Sequence, residues 1–324
     1  MIERTIKKND DGQRFDKYLK KLLKEVGSSF IYKMLRKKNI TLNGKKADGS
    51  EKVREGDMVR LFFSDETYAK FIGNTATAFG TQNSAYEKLP RTDLSILYED
   101  EEILVINKPA GMLSQKAKPT DVSANEYLLS YLLDTNAVTP QELETFRPSI
   151  CNRLDRNTSG LLLAGKTLHG LQAMSKLLQE RTVKKYYCCL VRGNLKKEQK
   201  ISGYLWKDEA KNRVMIHASE KPGAKRIETA YRPLKIYGNV TLLEVHLITG
   251  RSHQIRAHLA SIGHPILGDM KYGDAVWNDS LRKHTGIRNQ LLHASRMEFP
   301  DGKILKAPLP EEFQKAMDYF EGEK

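Results

Sequence analysis

Residues 147–166 read RPSICNRLDRNTSGLLLAGK. A polar run, with Asp155 between Arg153 and Arg156 and followed by Asn157, Thr158, Ser159 and Gly160, passes directly into the apolar run 161–164. Gly, Asn and Ser mark a loop, and a short uninterrupted apolar run suits a strand buried in a core. The stretch therefore predicts a loop clamped onto a core strand, the place where chemistry usually sits. Two readings of Asp155 stand open on these residues alone: a turn whose acid is paired by its neighbouring arginines, or a site.

Composition narrows the choice. The chain has 324 residues, enough for one large domain and one small one. Its 54 Lys and Arg against 40 Asp and Glu give a net charge of +14, which suits a polyanion, nucleic acid first and a membrane surface second. The excess is concentrated: residues 1–64 hold 17 basic and 9 acidic side chains. No segment has the roughly 18–20 uninterrupted apolar residues of a membrane span, and the opening MIERTIKKNDDGQRF lacks the apolar centre of a signal peptide. A cytoplasmic protein without a membrane partner is expected. Cys151, Cys188 and Cys189 have no CxxC spacing, so they predict neither a disulfide framework nor a zinc site but reduced, buried thiols.

Phe15, Tyr18, Leu19, Leu22, Leu23 and Val26 fall at helical spacing before Gly27. A second helix follows, FIYKMLRKK, capped by Ser28 or Ser29, with Ile31, Met34 and Leu35 inward and Lys33, Arg36, Lys37 and Lys38 outward. The strand ITL, the hairpin turn Asn43-Gly44 and the closing strand MVRLFF complete a small unit. Residues 65–92 lack a sustained period and read as a linker that Phe71 and Phe79 could pin to a neighbour.

From residue 93 onward strands and helices mix without regular βαβ alternation. The expected strands are ILYED, EILVINKPAG, KKYYCCLVRG, VTLLEVHLI and QLLHASRMEF; the expected helices are 121–134, 168–181 and HQIRAHLASIG, the last capped by Ser252. Residues 195–230 yield only hairpin-like pieces, and a polar stretch follows ILGDMKYG. The prediction is an α+β fold whose large domain has a mixed or antiparallel central sheet flanked by helices, joined to a small N-terminal αβ domain. Tyr186 and Tyr187 alternate across one strand, so only one faces any site.

Two resemblances follow from these motifs. RFDKYL, SSFIYKMLRKKNITLNGKKA and EGDMVRLFF resemble the small RNA-binding fold named after ribosomal protein S-four. This implies that Lys33, Arg36, Lys37 and Lys38 meet RNA phosphates, which supply affinity more than sequence information. NKPAGML, NRLDRNTSGL, KYYCCLVRG, LITGRSHQIRAHL and GHPILGDMKYG occur in order over about 94–300 and resemble the RluA-type family of pseudouridine synthases. The N-terminal fold recurs in the branch of that family acting on large-subunit ribosomal RNA.

The resemblance implies an isomerase that turns uridine into pseudouridine, with domains at 1–64 and 93–324 about the linker 65–92. It implies a catalytic Asp155, an active-site Tyr187 and an active-site arginine at Arg256 in preference to Arg251, with Arg153 entering the space left by an extruded base. Arg153, Arg156 and Arg251 are expected on the RNA, and neither metal nor cofactor is needed; a monomer suffices. Whether Asp155 attacks the sugar or removes a proton from it stays open.

The sequence departs from its relatives at Asn152, where many have His and a local hydrogen-bonding role is expected, and at Ser114 and Gln115. Lys108 is open between a structural and an RNA-facing role, and Cys188 and Cys189 read as packing. His246, His253, His258 and His264 lack the spacing and the Cys or Glu partners of a metal site. The rival reading is a non-catalytic RNA-binding protein on the same fold. A nucleotide-dependent or hydrolytic enzyme is disfavoured, since neither a phosphate-binding glycine loop nor a serine nucleophile elbow is present.

Overall fold

In the computed structural model, which describes residues 1–73, 89–90, 93–209 and 213–322, the apolar run quoted above is strand β8 (Ser159–Gly165), buried along its whole length. It is sandwiched in the sheet between β6 (Ile103–Lys108), antiparallel with Ile106 opposite Leu162, and β14 (Leu292–Glu298), parallel with Ala294 opposite Gly160. Leu104, Val105, Ile106, Leu161, Leu162 and Leu163 are essentially inaccessible to solvent. Each such side chain contributes about 1.5–3 kcal/mol of burial, which makes this trio of strands the centre of the fold.

The sheet extends on both sides. β5 (Ile96–Glu99) pairs with β6, and the short β7 (Ser149–Ile150) with β8. β9 (Lys184–Arg192) pairs with β14; beyond it lie β13 (Val240–Leu247), β12 (Lys225–Tyr237), β10 (Gln199–Asp208) and β11 (Arg213–His217). β15 (Ile304–Lys306) adds to β14. The β8–β14 contact is the parallel pair among the described strands; the other pairs are antiparallel, so the expected mixed α+β sheet is found.

Alternation along β9 divides the core in two. Tyr187, Cys189 and Val191 join the cluster that includes α4 (Ala124–Asp134) and α6 (Gln254–Ser261). Cys188 and Leu190 join a second cluster under α7 (Ala275–Thr285) and α8 (Glu311–Gly322). Both cysteines are buried free thiols, pushed up in pKa chiefly by burial. α5 (Leu168–Gln179) lies against β8.

Capping chemistry sets several helix starts. Ser123 and Glu126 form a reciprocal box at α4, Thr167 Oγ1 accepts the N–H of Gly170 at α5, and Asp274 accepts the N–H groups of Val276 and Trp277 at α7.

The N-terminal unit has a four-stranded sheet in the order β1-β4-β2-β3, where β1 is Ile2–Thr5, β2 Ile40–Leu42, β3 Lys45–Lys46 and β4 Met58–Leu61. α1 (Phe15–Leu22) and α2 (Ser28–Arg36) bury Phe15, Leu19, Ile31 and Leu35 against Val53, Val59 and Leu61. Asn43 and Gly44 both have positive φ, 50° and 72°, as the two-residue hairpin turn requires.

Four sequence expectations change here. α2 begins at Ser28 with Gly27 as its N-cap and no side-chain cap, so neither Ser28 nor Ser29 plays that part. Residues 65–71 of the expected linker form α3 (Asp65–Phe71), capped by Ser64, with Phe71 edge-on to Phe30 and Phe63 at 5.0 and 5.3 Å; Phe79 lies outside the described residues. The less periodic stretch 195–230 contains the long strand β10, and β12 runs thirteen residues across Pro233, where a register shift removes the need for a ladder N–H. The polar stretch after 273 is helix α7.

The two units touch. Thr145 Oγ1 donates to the buried Asp10 at 2.7 Å, Arg4 reaches Glu144 at 3.3 Å, and Lys8 pairs with Glu101.

Candidate active site

Asp155 occupies the loop between β7 and β8, and the surrounding hydrogen bonds explain why that loop has one shape. Asn152 Oδ1 accepts the N–H of Leu163 at 2.8 Å, tying the loop back to β8 in the local role expected of it. Ser114 Oγ donates to Leu154 O at 2.8 Å and accepts the Leu154 N–H at 3.0 Å, clamping the residue before the acid. Lys108 is fully buried; its Nζ donates to the carbonyls of Pro109, Met112 and Arg156 at 2.8–2.9 Å. It is therefore structural, a staple joining the NKPAG loop to the Asp155 loop. Burial pushes its pKa down to about 7, with the Asp155 charge opposing.

Behind the loop, Gly160 has φ of 106°, and a Cβ there would stand 2.2 Å from Ala294 O. Only glycine lets β8 approach β14 so closely. Asp155 itself is a quarter exposed and opens into a cleft of about 740 Å³.

One oxygen of Asp155, Oδ2, accepts Arg256 Nη1 at 2.8 Å. Arg256 projects from α6 and is nearly buried, and its Nε and Nη2 grip Asp269 Oδ2 and Oδ1 at 2.7 and 2.9 Å. Asp269, wholly inaccessible, also accepts the N–H groups of Lys271 and Tyr272. Burial works against both charges, but mutual attraction and these hydrogen bonds hold Arg256 above, and Asp269 below, the usual ranges. The guanidinium thus presents a permanent charge to Asp155.

Tyr187 lines the same cleft. Burial, then the charge of Asp155, drives its pKa upward, so the phenol keeps its proton. Tyr186 points to the opposite face, stacked on His246 at 4.8 Å and bonded to Glu298.

The structure therefore brings Asp155, Tyr187 and Arg256 together. Arg153, Arg156 and Arg251 are exposed around the cleft; Arg156 also donates to Gly111 O at 3.1 Å. Lys33, Arg36, Lys37 and Lys38 are exposed on and just after α2 and do not line the cleft.

Sequence reasoning missed three contributors. Asp269 carried a weak signal, an acid after Gly268 in the GD of GHPILGDMKYG. His253, with φ of 54°, is the N-cap of α6 in place of the expected Ser252, and its Nε2 stands 4.0 Å from Asp155 Oδ1. Gln254 Oε1 accepts the Arg251 N–H at 3.1 Å, which ties the loop before the helix to its first residue. Tyr272 connects to His253 Nδ1 at 2.9 Å. His258, five residues on, is buried against Thr229, where burial pushes it down to about 4.

Residues 102–261 match the family model for RNA pseudouridylate synthase, and residues 13–59 match the S4 domain. The ribosomal large subunit pseudouridine synthase C of Vibrio cholerae is 33% identical over 291 residues, covering 89% of this chain and 85% of that protein. Synthase D of Nitrosomonas europaea is 32% identical over 321 residues, covering 96% and 85%. Among solved structures, human RNA pseudouridylate synthase domain containing 4 superposes with a TM-score of 0.58 at 22% identity, over 75% of this chain and 97% of that one, which supports the fold. The chain belongs to the RNA pseudouridylate synthase family.

Proposed function

We propose that this protein isomerises specific uridines of large-subunit ribosomal RNA to pseudouridine, with Asp155 as the catalytic carboxylate and no cofactor. The observation that carries the reading is the anchored charge pair: a partly exposed acid in a cleft, held by an arginine that a buried acid holds in turn. A salt-bridged turn or a purely RNA-binding surface has no use for a carboxylate anchored in this way at the mouth of a cleft rimmed by arginines.

The reaction breaks the bond between ribose C1′ and uracil N1, turns the base, joins C1′ to C5, and moves the C5 proton off the ring while N1 gains one. The base must leave its stack, at a cost of a few kcal/mol. Arg153, Arg156 and Arg251 at the rim offset that cost by neutralising phosphates, and Arg153 fills the space the base vacates. Tyr187 offers the uracil an aromatic face and a protonated hydroxyl. Asp155 acts on the sugar, either as nucleophile at C1′ or as base at C2′.

Residues 1–64 serve as an appended RNA-binding domain, with Lys33, Arg36, Lys37 and Lys38 on the phosphate backbone, and residues 93–324 as the catalytic domain. The relatives named above are synthases of the ribosomal large subunit, which supports that substrate. No helix among the described residues is long and apolar enough to cross a membrane; we read the protein as a cytoplasmic enzyme that acts as a monomer.

The test is tritium release from C5-labelled uridine in large-subunit ribosomal RNA. Release by the wild type and its loss, by at least a factor of about a thousand, in Asp155→Asn is expected. No release by the wild type, or equal release by the variant, would overturn the assignment.

A further inference from the structure

The two oxygens of Asp155 are not equivalent. Oδ2 is taken by Arg256, whereas Oδ1 faces His253 Nε2 across 4.0 Å. That gap exceeds a hydrogen bond, which spans roughly 2.7–3.2 Å, but an oxygen seated about 2.9 Å from Nε2 also lies about 3 Å from Oδ1. Both residues line the open cleft, so one substrate oxygen can bridge them.

The imidazole is held at the gap in a defined way. His253 adopts the left-handed backbone conformation, which few side chains accept without strain. Its Nδ1 lies 2.9 Å from Tyr272 Oη, and the rings meet edge to face at 5.6 Å. Tyr272 Oη accepts the backbone N–H of Val214 in β11 at 2.9 Å, which leaves its own proton to point at Nδ1. Burial lowers the pKa of His253; the Asp155 charge opposes that, Arg256 and Lys271 add to it, and Asp269 opposes it. A neutral ring whose Nδ1 accepts carries its proton on Nε2, toward the gap.

We propose that His253 donates a hydrogen bond through Nε2–H to the ribose 2′-hydroxyl of the target uridine, and that Tyr272 is the positioning residue that fixes this tautomer. The proposal rests on the reading that Asp155 acts on a uridine. Whether Oδ1 attacks C1′ or removes the proton from C2′, it comes up to the C1′–C2′ edge, and the 2′-oxygen, bonded to C2′, comes with it. Protonated His253 would instead pair directly with Oδ1 and close the gap.

The experiment compares single-turnover conversion of a ribosomal RNA fragment carrying uridine or 2′-deoxyuridine at the modified position, by the wild type and by His253→Asn. Asparagine is chosen because it tolerates the left-handed backbone. A loss of about five- to thirtyfold is expected on uridine, the range of one hydrogen bond, and less than about threefold on 2′-deoxyuridine. An equal loss on both RNAs, or none on uridine, overturns the proposal. If the deoxy RNA does not turn over, the same four combinations are read as Kd by filter binding under the same criterion. A wild type that converts no uridine would sink the functional reading, while the binding comparison would still judge the His253 contact.

Tyr272→Phe keeps the ring against Arg256 and Arg213 but frees Nδ1 to take a proton. The acid limb of kcat should move to higher pH with KM unchanged. A uniform loss at every pH would assign Tyr272 a merely structural role.

Discussion

Removing the negative charge of Asp269 tests the logic of the site at a residue the substrate need not touch. In Asp269→Asn, Arg256 exchanges a two-point grip on a carboxylate for one carbonyl and one amide group that it cannot bond. Breaking a buried ion pair by removing one partner costs about 3–5 kcal/mol. Arg256 still has Asp155 at 2.8 Å, which places the expected loss near the lower end, about 3 kcal/mol. For a domain of this size that is a fall in Tm of about 6–12 °C. The guanidinium then turns toward Asp155 without its anchor, and kcat should drop at least about tenfold while RNA affinity stays nearly unchanged.

The pH dependence has a defined sign. Burial alone would raise the pKa of Asp269, but Arg256 and the Lys271 and Tyr272 N–H groups hold it below the usual carboxylate range. Its contribution is therefore complete above the unfolded value of about 4 and is lost as pH falls below it. The difference in Tm between wild type and Asp269→Asn, followed by circular dichroism, should be widest near neutrality and shrink toward pH 3. A variant that melts within about 1 °C of the wild type at pH 7 and keeps more than half its rate would refute the anchoring argument.

Two further outcomes follow from other parts of the fold. Gly160→Ala places a methyl group 2.2 Å from Ala294 O in a left-handed conformation and should destabilise the protein by about 3–5 kcal/mol; an unchanged denaturant midpoint would mean that β8 and β14 separate freely. Burial raises Asp10 to about 6, against the lowering effects of Thr145, Lys21 and Gln13, so its ionisation destabilises the folded state progressively as pH rises from about 4 to 6. Asp10→Asn should therefore raise Tm at pH 7.5 and leave it unchanged near pH 4, and a loss at pH 7.5 in differential scanning calorimetry would show that the charge is needed between the two units.

Much of the architecture was legible because local pattern and burial agree. The run 161–164 is apolar on both faces because β8 is covered on both, and the alternation of Tyr187, Cys189 and Val191 with Cys188 and Leu190 records two separate cores. Asn43-Gly44 is local chemistry that needs no tertiary context; the Ser123–Glu126 box is equally local but went unread. Where long-range packing decides, the sequence was silent. α7 buries only Asn278 and Leu281 completely, too little for a helical stripe, although Asp274 and Gly286 bracket it with ordinary capping chemistry. α8 did carry a readable period in Phe313, Ala316, Met317 and Phe320.

The candidate site divides along the same line. Asp155, Tyr187 and Arg256 stand in recognisable motifs, but what makes them a unit is contacts across the chain. Asp269 lies 13 residues from the arginine it grips and reads as an ordinary loop acid, because the sequence does not reveal that its oxygens are fully removed from water. His253 is concealed by a backbone angle, and its orientation by a hydroxyl nineteen residues away that an amide of β11 holds in place. The acid is thus set between two supports of different character. On Oδ2 a cation locked by a buried acid holds it in place; on Oδ1 an imidazole held by a phenol faces it across 4.0 Å. Under the proposed function, that asymmetry leaves the carboxylate one oxygen to be held by and one to act on the sugar.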